Sequence, residues 1–224
     1  MQEHTLTAPD GTSFRAHLTP APTGPARPGL VMVHEWYGLT PEIDRMAAQF
    51  AAAGFVVAAV DVYDGQVATT DAEAFALMNA MNSLEAATRV AATARWLAAD
   101  ARCSGRIGVV GFCMGGAITF VSACHVPEAS AFAPFYGVPR ASYMDPPLTH
   151  GPVQAHFARE DAFANPARAE ALVSQISAAG GRAELHVYDG GHAFMRASDP
   201  QAHHAPSAML AFERCVAFFH AELD

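Results

Sequence analysis

The segment RIGVVGFCMGGAITFVSA (106–123) constrains this chain more than any other. An apolar run ends in Gly111-Phe112-Cys113-Met114-Gly115-Gly116, and a second apolar run follows at once. The first run reads as a strand buried on both faces and the second as a helix. A G-x-C-x-G-G sequence between a strand and a helix is what a nucleophile elbow requires. The central residue takes a strained conformation on a tight turn, and the flanking glycines leave room for neighbouring backbone. Such a turn lifts the side chain out of the sheet at a helix N-terminus, where the dipole favours a thiolate. Cys113 is therefore the candidate nucleophile, and its plain alternative is an inert cysteine buried in a glycine-rich turn. Residues 107–127 are also long enough to span a bilayer. Gly111, Gly115, Gly116, Thr119 and Ser122 interrupt that run, and a strand, turn and helix account for it better.

The rest of the chain repeats this alternation. TLTA and SFRAHLT flank Pro9-Asp10-Gly11, which predicts an antiparallel hairpin. A Pro/Gly-rich stretch (20–29) leads into GLVMVHE (29–35), and FVVAAVDVY (55–63), ASAFAPFYG (129–137), VQAHFAR (153–159) and AELHVYD (183–189) read as further strands. Helices are expected from Thr40-Pro41 to Gly54, over 70–100 with a break near 79–83, and over 166–179. A last helix is expected over 205–221, with Met209, Leu210, Phe212, Val216 and Phe219 at helical spacing. Strands alternating with helices predict one α/β domain over 1–224, a mostly parallel sheet with helices on both faces behind an N-terminal antiparallel hairpin. In such sheets ligands bind beyond the carboxyl ends of the strands.

Composition narrows the function. Of 224 residues, 51% are hydrophobic and 16% charged, which excludes a disordered polypeptide. The net charge of −9 leaves no electrostatic footprint for nucleic acid or an anionic membrane, so a small-molecule substrate is expected. MQEHTLTAPDG has neither a basic nor an apolar leader region, and a cytoplasmic location is expected. The four cysteines lack paired spacing and are expected to be free thiols.

A thiol nucleophile needs a base, and the base an orienting acid, in the chain order nucleophile, acid, histidine for an α/β hydrolase. Asp161 follows the strand 153–159, with Glu160 as its local competitor. His192 follows the strand 183–189 behind Gly190 and Gly191. Beyond the strand 29–35, His34-Glu35-Trp36-Tyr37-Gly38 is placed to supply one oxyanion-hole amide, Trp36, with Met114 supplying the other. A metal reading of His34-Glu35 fails because position 38 is Gly, where a second histidine is needed. Glu35 beside an oxyanion hole would oppose the developing charge, so it is either a hydrogen-bond anchor or has a role of its own.

These blocks, HEWYGLTPEIDRMAAQFAAAGFVVAAVDVYDG, RIGVVGFCMGG, the Glu160-Asp161 of FARED and GGHAFMR, resemble the dienelactone hydrolases (carboxymethylenebutenolidases) in order and spacing over nearly the whole chain. The resemblance implies an α/β-hydrolase fold without a lid domain, a cytoplasmic monomer, and neither cofactor nor metal. It also implies a Cys113–His192–Asp161 triad, and a Glu35 that contacts the resting thiol until substrate displaces it. Family members acting on dienelactone carboxylates use two arginines. Arg196 matches the second, whereas the first falls on Gly65. One lost guanidinium forfeits a contact worth about 1.5–3 kcal/mol, so the pocket is expected to take another ester or lactone or to use a different cation. Arg196 reads either as an anion clamp or as a surface arginine.

The expected activity is cleavage of a small activated ester or lactone through a thioester. A broader carboxylesterase is the nearest alternative, followed by a redox-reactive thiol with Cys124 as the closest partner, and then a non-catalytic binding module. Tyr37, Tyr63, Tyr136, Tyr143, Phe163 and Phe194 flank the expected mouth and are candidates to line it, and Tyr37 joins Glu35 and Arg196 as a candidate substrate-binding or resting-state residue.

Overall fold

The computed structural model describes residues 1–20 and 24–224, so the part of the Pro/Gly-rich stretch at 21–23 lies outside the described residues. The expected hairpin is β1 (Gln2–Thr7) and β2 (Ser13–Leu18), paired antiparallel around the Pro9–Gly11 turn. β3 (Arg27–Val33), β4 (Val56–Val60), β5 (Cys103–Phe112), β6 (Ala131–Phe135), β7 (Val153–Ala158) and β8 (Ala183–Tyr188) follow. All eight form one sheet in the order β1-β2-β4-β3-β5-β6-β7-β8. Only the pairings of β2 are antiparallel.

Six helices occur among the described residues: α1 (Pro41–Ala52), α2 (Asp71–Ala80), α3 (Ser83–Ala98), α4 (Met114–His125), α5 (Pro166–Ala178) and α6 (Ala205–Leu223). Their placement follows from the pleat, which sends successive side chains to opposite faces. Gly29 pairs with Ile107, and a side chain there would meet Leu97 of α3. The next pair along, Leu30 and Gly108, faces Phe219 of α6. So α3 and α6 lie on opposite faces. Phe50 of α1 packs edge-on against Phe212 of α6, with ring centroids 4.9 Å apart, which puts α1 with α6. Every residue of β4, β6 and β7 is buried, as covering on both faces demands.

Several boundaries differ from the sequence reading. β4 stops at Val60, because the Asp61 carboxylate accepts the amides of Tyr63 and Gly65 and turns the chain out of the sheet. β3 ends at Val33, leaving His34 and Glu35 in the loop beyond it. The break in 70–100 falls at Met81–Asn82. Thr70 forms a capping box with Glu73 at the start of α2, and Asn82 caps α3. Two short 3-10 turns, Ala141–Tyr143 and Pro146–Leu148, were not expected. The buried stripe of α6 is also rotated. Ala208, Ala211, Cys215, Phe218 and Phe219 face the sheet, while Met209 is 63% exposed. Ala208 and Ala211 let the first turns of the helix approach closely, which Met209 or Leu210 in their place would prevent.

The run 107–127 resolves into the end of β5 and α4, and no helix among the described residues is long and apolar enough to cross a membrane.

Candidate active site

Cys113 sits between β5 and α4 with φ 56° and ψ −118°, a backbone conformation that side-chain-bearing residues rarely adopt. Two glycines make it possible. A Cβ at Gly111 would collide with the Gly115 carbonyl, and one at Gly115 would collide with the carbonyl of Val33. The elbow is thus wedged against β3. The Cys113 amide also donates to the Phe135 carbonyl at 3.1 Å, tying it to β6.

Asp161 follows β7 and His192 follows β8, both at the carboxyl edge of the sheet where Cys113 emerges. The imidazole bridges them. His192 Nδ1 lies 2.8 Å from Asp161 Oδ2, and His192 Nε2 lies 3.1 Å from Cys113 Sγ. Asp161 is 6% exposed, and its Oδ1 accepts the amides of Phe163 and Ala164 at 2.8 Å each. Its remaining oxygen is thereby aimed at the ring. Glu160, the local competitor, points to solvent. Burial alone would discharge His192. The Asp161 carboxylate and the Cys113 sulfur outweigh it and push the ring's pKa up to about 10.

Beyond β3 the chain turns through His34-Glu35-Trp36. Neither the Trp36 nor the Met114 N–H donates to a protein acceptor among the described residues. Met114 is the first residue of α4, so its amide points out of the helix N-terminus beside Cys113.

Glu35 makes no hydrogen bond to the Cys113 thiol, unlike the resting contact that the resemblance implies. It is 3% exposed, and its Oε2 accepts from Arg196 Nε at 2.8 Å. Its Oε1 lies 3.4 Å from the Tyr136 hydroxyl, which donates to it. Arg196 is accordingly neither a surface arginine nor an unengaged clamp. It is held by Glu35, has Asp199 at 3.7 Å, and lies over the Tyr37 ring at 5.4 Å. Electrostatics explain the pairing, because a buried carboxylate without a cation is costly and Arg196 supplies one. Gly65 has its own neighbour. The Arg15 guanidinium fills the space a side chain would take there, but Arg15 pairs with Glu3 and Asp61 and does not line the cavity.

A cavity of about 750 Å³ opens over Cys113 and His192. Tyr37, Tyr136, Tyr143 and Phe163 line it. Tyr63 and Phe194 do not, because they are packed inside. Tyr63 donates to the Met114 sulfur at 2.9 Å, and Phe194 packs edge-on against Tyr136 and tilted against Tyr188. Phe163 is 79% exposed at the mouth, yet its ring lies 5.3 Å from that of His192. The sequence reading missed the opposite wall: Phe75 and Met78 of α2, Met81 after it, and Arg140 beyond β6. The one available signal was an α2 that is apolar without an apolar stripe, burying only Ala74. A second hollow of about 590 Å³ beside Asp44 and Arg45 is lined by no cysteine, serine or histidine among the described residues.

Cys124, the other cysteine of the elbow helix, is on α4 about 16 Å up the helix axis from Cys113. It is buried, and burial pushes its thiol up. A resolving cysteine must reach the sulfur it attacks, and this one does not.

The model of the dienelactone hydrolase family matches residues 14–223. The chain belongs to the dienelactone hydrolase family. Membership makes it a hydrolase acting on ester or lactone bonds. Among its relatives, the carboxymethylenebutenolidase of Pseudomonas sp. (strain P51) is 28% identical, over 87% of this chain and 85% of that one. The carboxymethylenebutenolidase of Rhodococcus opacus is 26% identical, over 87% and 81%. A dienelactone hydrolase-like promiscuous phosphotriesterase from metagenomic libraries superposes with a TM-score of 0.85. It covers 100% of this chain and 99% of its own at 18% identity, which speaks to the fold alone.

Proposed function

We propose that this hydrolase cleaves small activated esters or lactones through a Cys113–His192–Asp161 triad and a thioester intermediate. The observation that carries the reading is the unbroken relay from sulfur to imidazole to buried carboxylate, opening into a cavity beside two unengaged amides. Asp161 and the Cys113 sulfur favour the protonated His192 ring, and the proposed nucleophile is the Cys113 thiolate beside it. The thiolate attacks the carbonyl carbon, and the oxyanion rests on the Trp36 and Met114 amides. Collapse breaks the ester bond. His192 Nε2–H gives its proton to the leaving oxygen, then takes one from the water that attacks the thioester, and the thiolate leaves. The names of the relatives point to enol lactones, whose leaving enolate departs easily.

One observation favours a broader carboxylesterase as the second reading. Of the two arginines lining the cavity, Arg196 is held by Glu35, and position 65 carries no guanidinium. The opposite wall of Phe75, Met78 and Met81 suits an apolar ester arm. Intact-mass spectrometry during turnover of p-nitrophenyl esters and of enol lactones tests both readings. An acyl adduct on Cys113 is expected, and its absence under burst conditions would remove the thioester. Comparable kcat/KM for both substrate types would establish the broader specificity.

The raised His192 pKa has a pH consequence. Its folded value lies above the unfolded 6.5, so the charged ring contributes stability that is full below about pH 6.5 and is lost as pH rises through about 10. Proton donation to the leaving group should follow. For an alkyl ester kcat/KM is expected to fall as pH passes about 10, relative to a p-nitrophenyl ester that needs no donated proton. A ratio that stays flat through that range would exclude His192 as the acid.

A further inference from the structure

His34 is fully buried and takes no part in the relay. Its two ring nitrogens are both engaged. The Val62 N–H lies 3.2 Å from Nε2, and a backbone amide can only donate, so Nε2 accepts. The ring proton therefore sits on Nδ1, which donates to the Glu35 carbonyl at 2.6 Å. Gly38 N–H is the second donor to that oxygen, at 3.1 Å. The Glu35 carbonyl and the Trp36 N–H belong to one peptide plane, and no cis peptide bond occurs among the described residues. In a trans peptide the two groups point in opposite directions. Holding the oxygen on the His34 side therefore aims the Trp36 N–H the other way, toward the cavity that Trp36 and Cys113 both line. The Met114 amide is fixed by the same geometry, since the Cys113 carbonyl accepts from Ala117 N at 3.2 Å along the helix.

We propose that His34 is a positioning residue of the oxyanion hole, its Nδ1–H locking the peptide whose opposite end stabilises the oxyanion. The Tyr63 ring, packed edge-on with ring centroids 4.9 Å apart, and the Val62 amide keep the imidazole in register. The inference rests on the acyl-transfer reading above. Donor loss at His34 leaves Gly38 as the other anchor, so the expected defect is smaller than that of deleting an oxyanion donor outright.

The test separates attack from oxyanion stabilisation. Alkylation of Cys113 by iodoacetamide is a displacement at carbon and forms no oxyanion, whereas acylation by a p-nitrophenyl ester does. His34→Leu keeps an apolar side chain in the core and removes the donor, while His34→Asn keeps a donor at the position of Nδ1. His34→Leu is expected to slow acylation about 10- to 100-fold with KM little changed and alkylation within about threefold. His34→Asn is expected to recover most of that loss. Acylation within threefold of wild type in His34→Leu, or acylation and alkylation falling together, would overturn the proposal. Nitrogen-15 NMR of the wild-type ring needs no variant to fold: a protonated Nδ1 slow to exchange supports the proposal, and a proton on Nε2 overturns it. A wild-type chain that shows no ester burst at all would instead count against the acyl-transfer reading.

Discussion

Cys113→Ala is expected to lower ester and lactone turnover by on the order of 10⁵- to 10⁶-fold, because it removes the atom that forms the intermediate. The fold should persist. Alanine can occupy the same strained position at φ 56°, and the collisions that shape the elbow belong to Gly111 and Gly115. The variant has a second signature. The sulfur is one of the groups that raise the His192 pKa, so its removal should bring the imidazole back toward its ordinary value in an NMR titration. Cys113→Ser should keep weak activity, since a serine must lose its proton to His192 within the attacking step. Unchanged turnover in a purified Cys113→Ala chain would end the thiol account.

Asp161→Asn is expected to cost about 10³- to 10⁴-fold in kcat. The Asn carbonyl oxygen can still accept the Phe163 and Ala164 amides that now bind Oδ1. Its NH₂ then faces His192 Nδ1 at the 2.8 Å contact, donor against donor. The ring must turn its unprotonated nitrogen toward the amide, which leaves a proton on Nε2 facing the sulfur and no base for the attacking water. Because Asp161 also helps to keep the ring charged, iodoacetamide reactivity at neutral pH should fall with turnover. A kcat within tenfold of wild type would exclude Asp161 as the orienting acid, and Glu160→Gln is the matched control because Glu160 is exposed.

Strand ends were legible because glycine, buried apolar runs and chain order are local signals. Cys113, Asp161 and His192 each follow a run whose period and boundaries could be read from neighbouring residues, and the sheet brings the three within hydrogen-bonding distance. The cavity wall was less legible. The apolar residues of α2 are distributed around the helix, with only Ala74 in the core, so no periodicity marked Phe75 and Met78 as lining a site. Tyr63 and Phe194 failed for the opposite reason, since proximity in sequence to a loop does not say which way a ring packs.

Glu35 marks the boundary between the two kinds of information. Its place beyond β3, like the elbow at Cys113 and the order of strands and helices, follows from covalent neighbours and from the need to bury apolar runs. Its partner does not. Arg196 is 161 residues away, and the pair forms because the sheet order brings the ends of β3 and β8 to the same edge, where a buried carboxylate must find a cation. The same long-range constraint holds His34 against Val62 and orients the peptide between Glu35 and Trp36, a geometry set by backbone atoms that carry no side-chain identity.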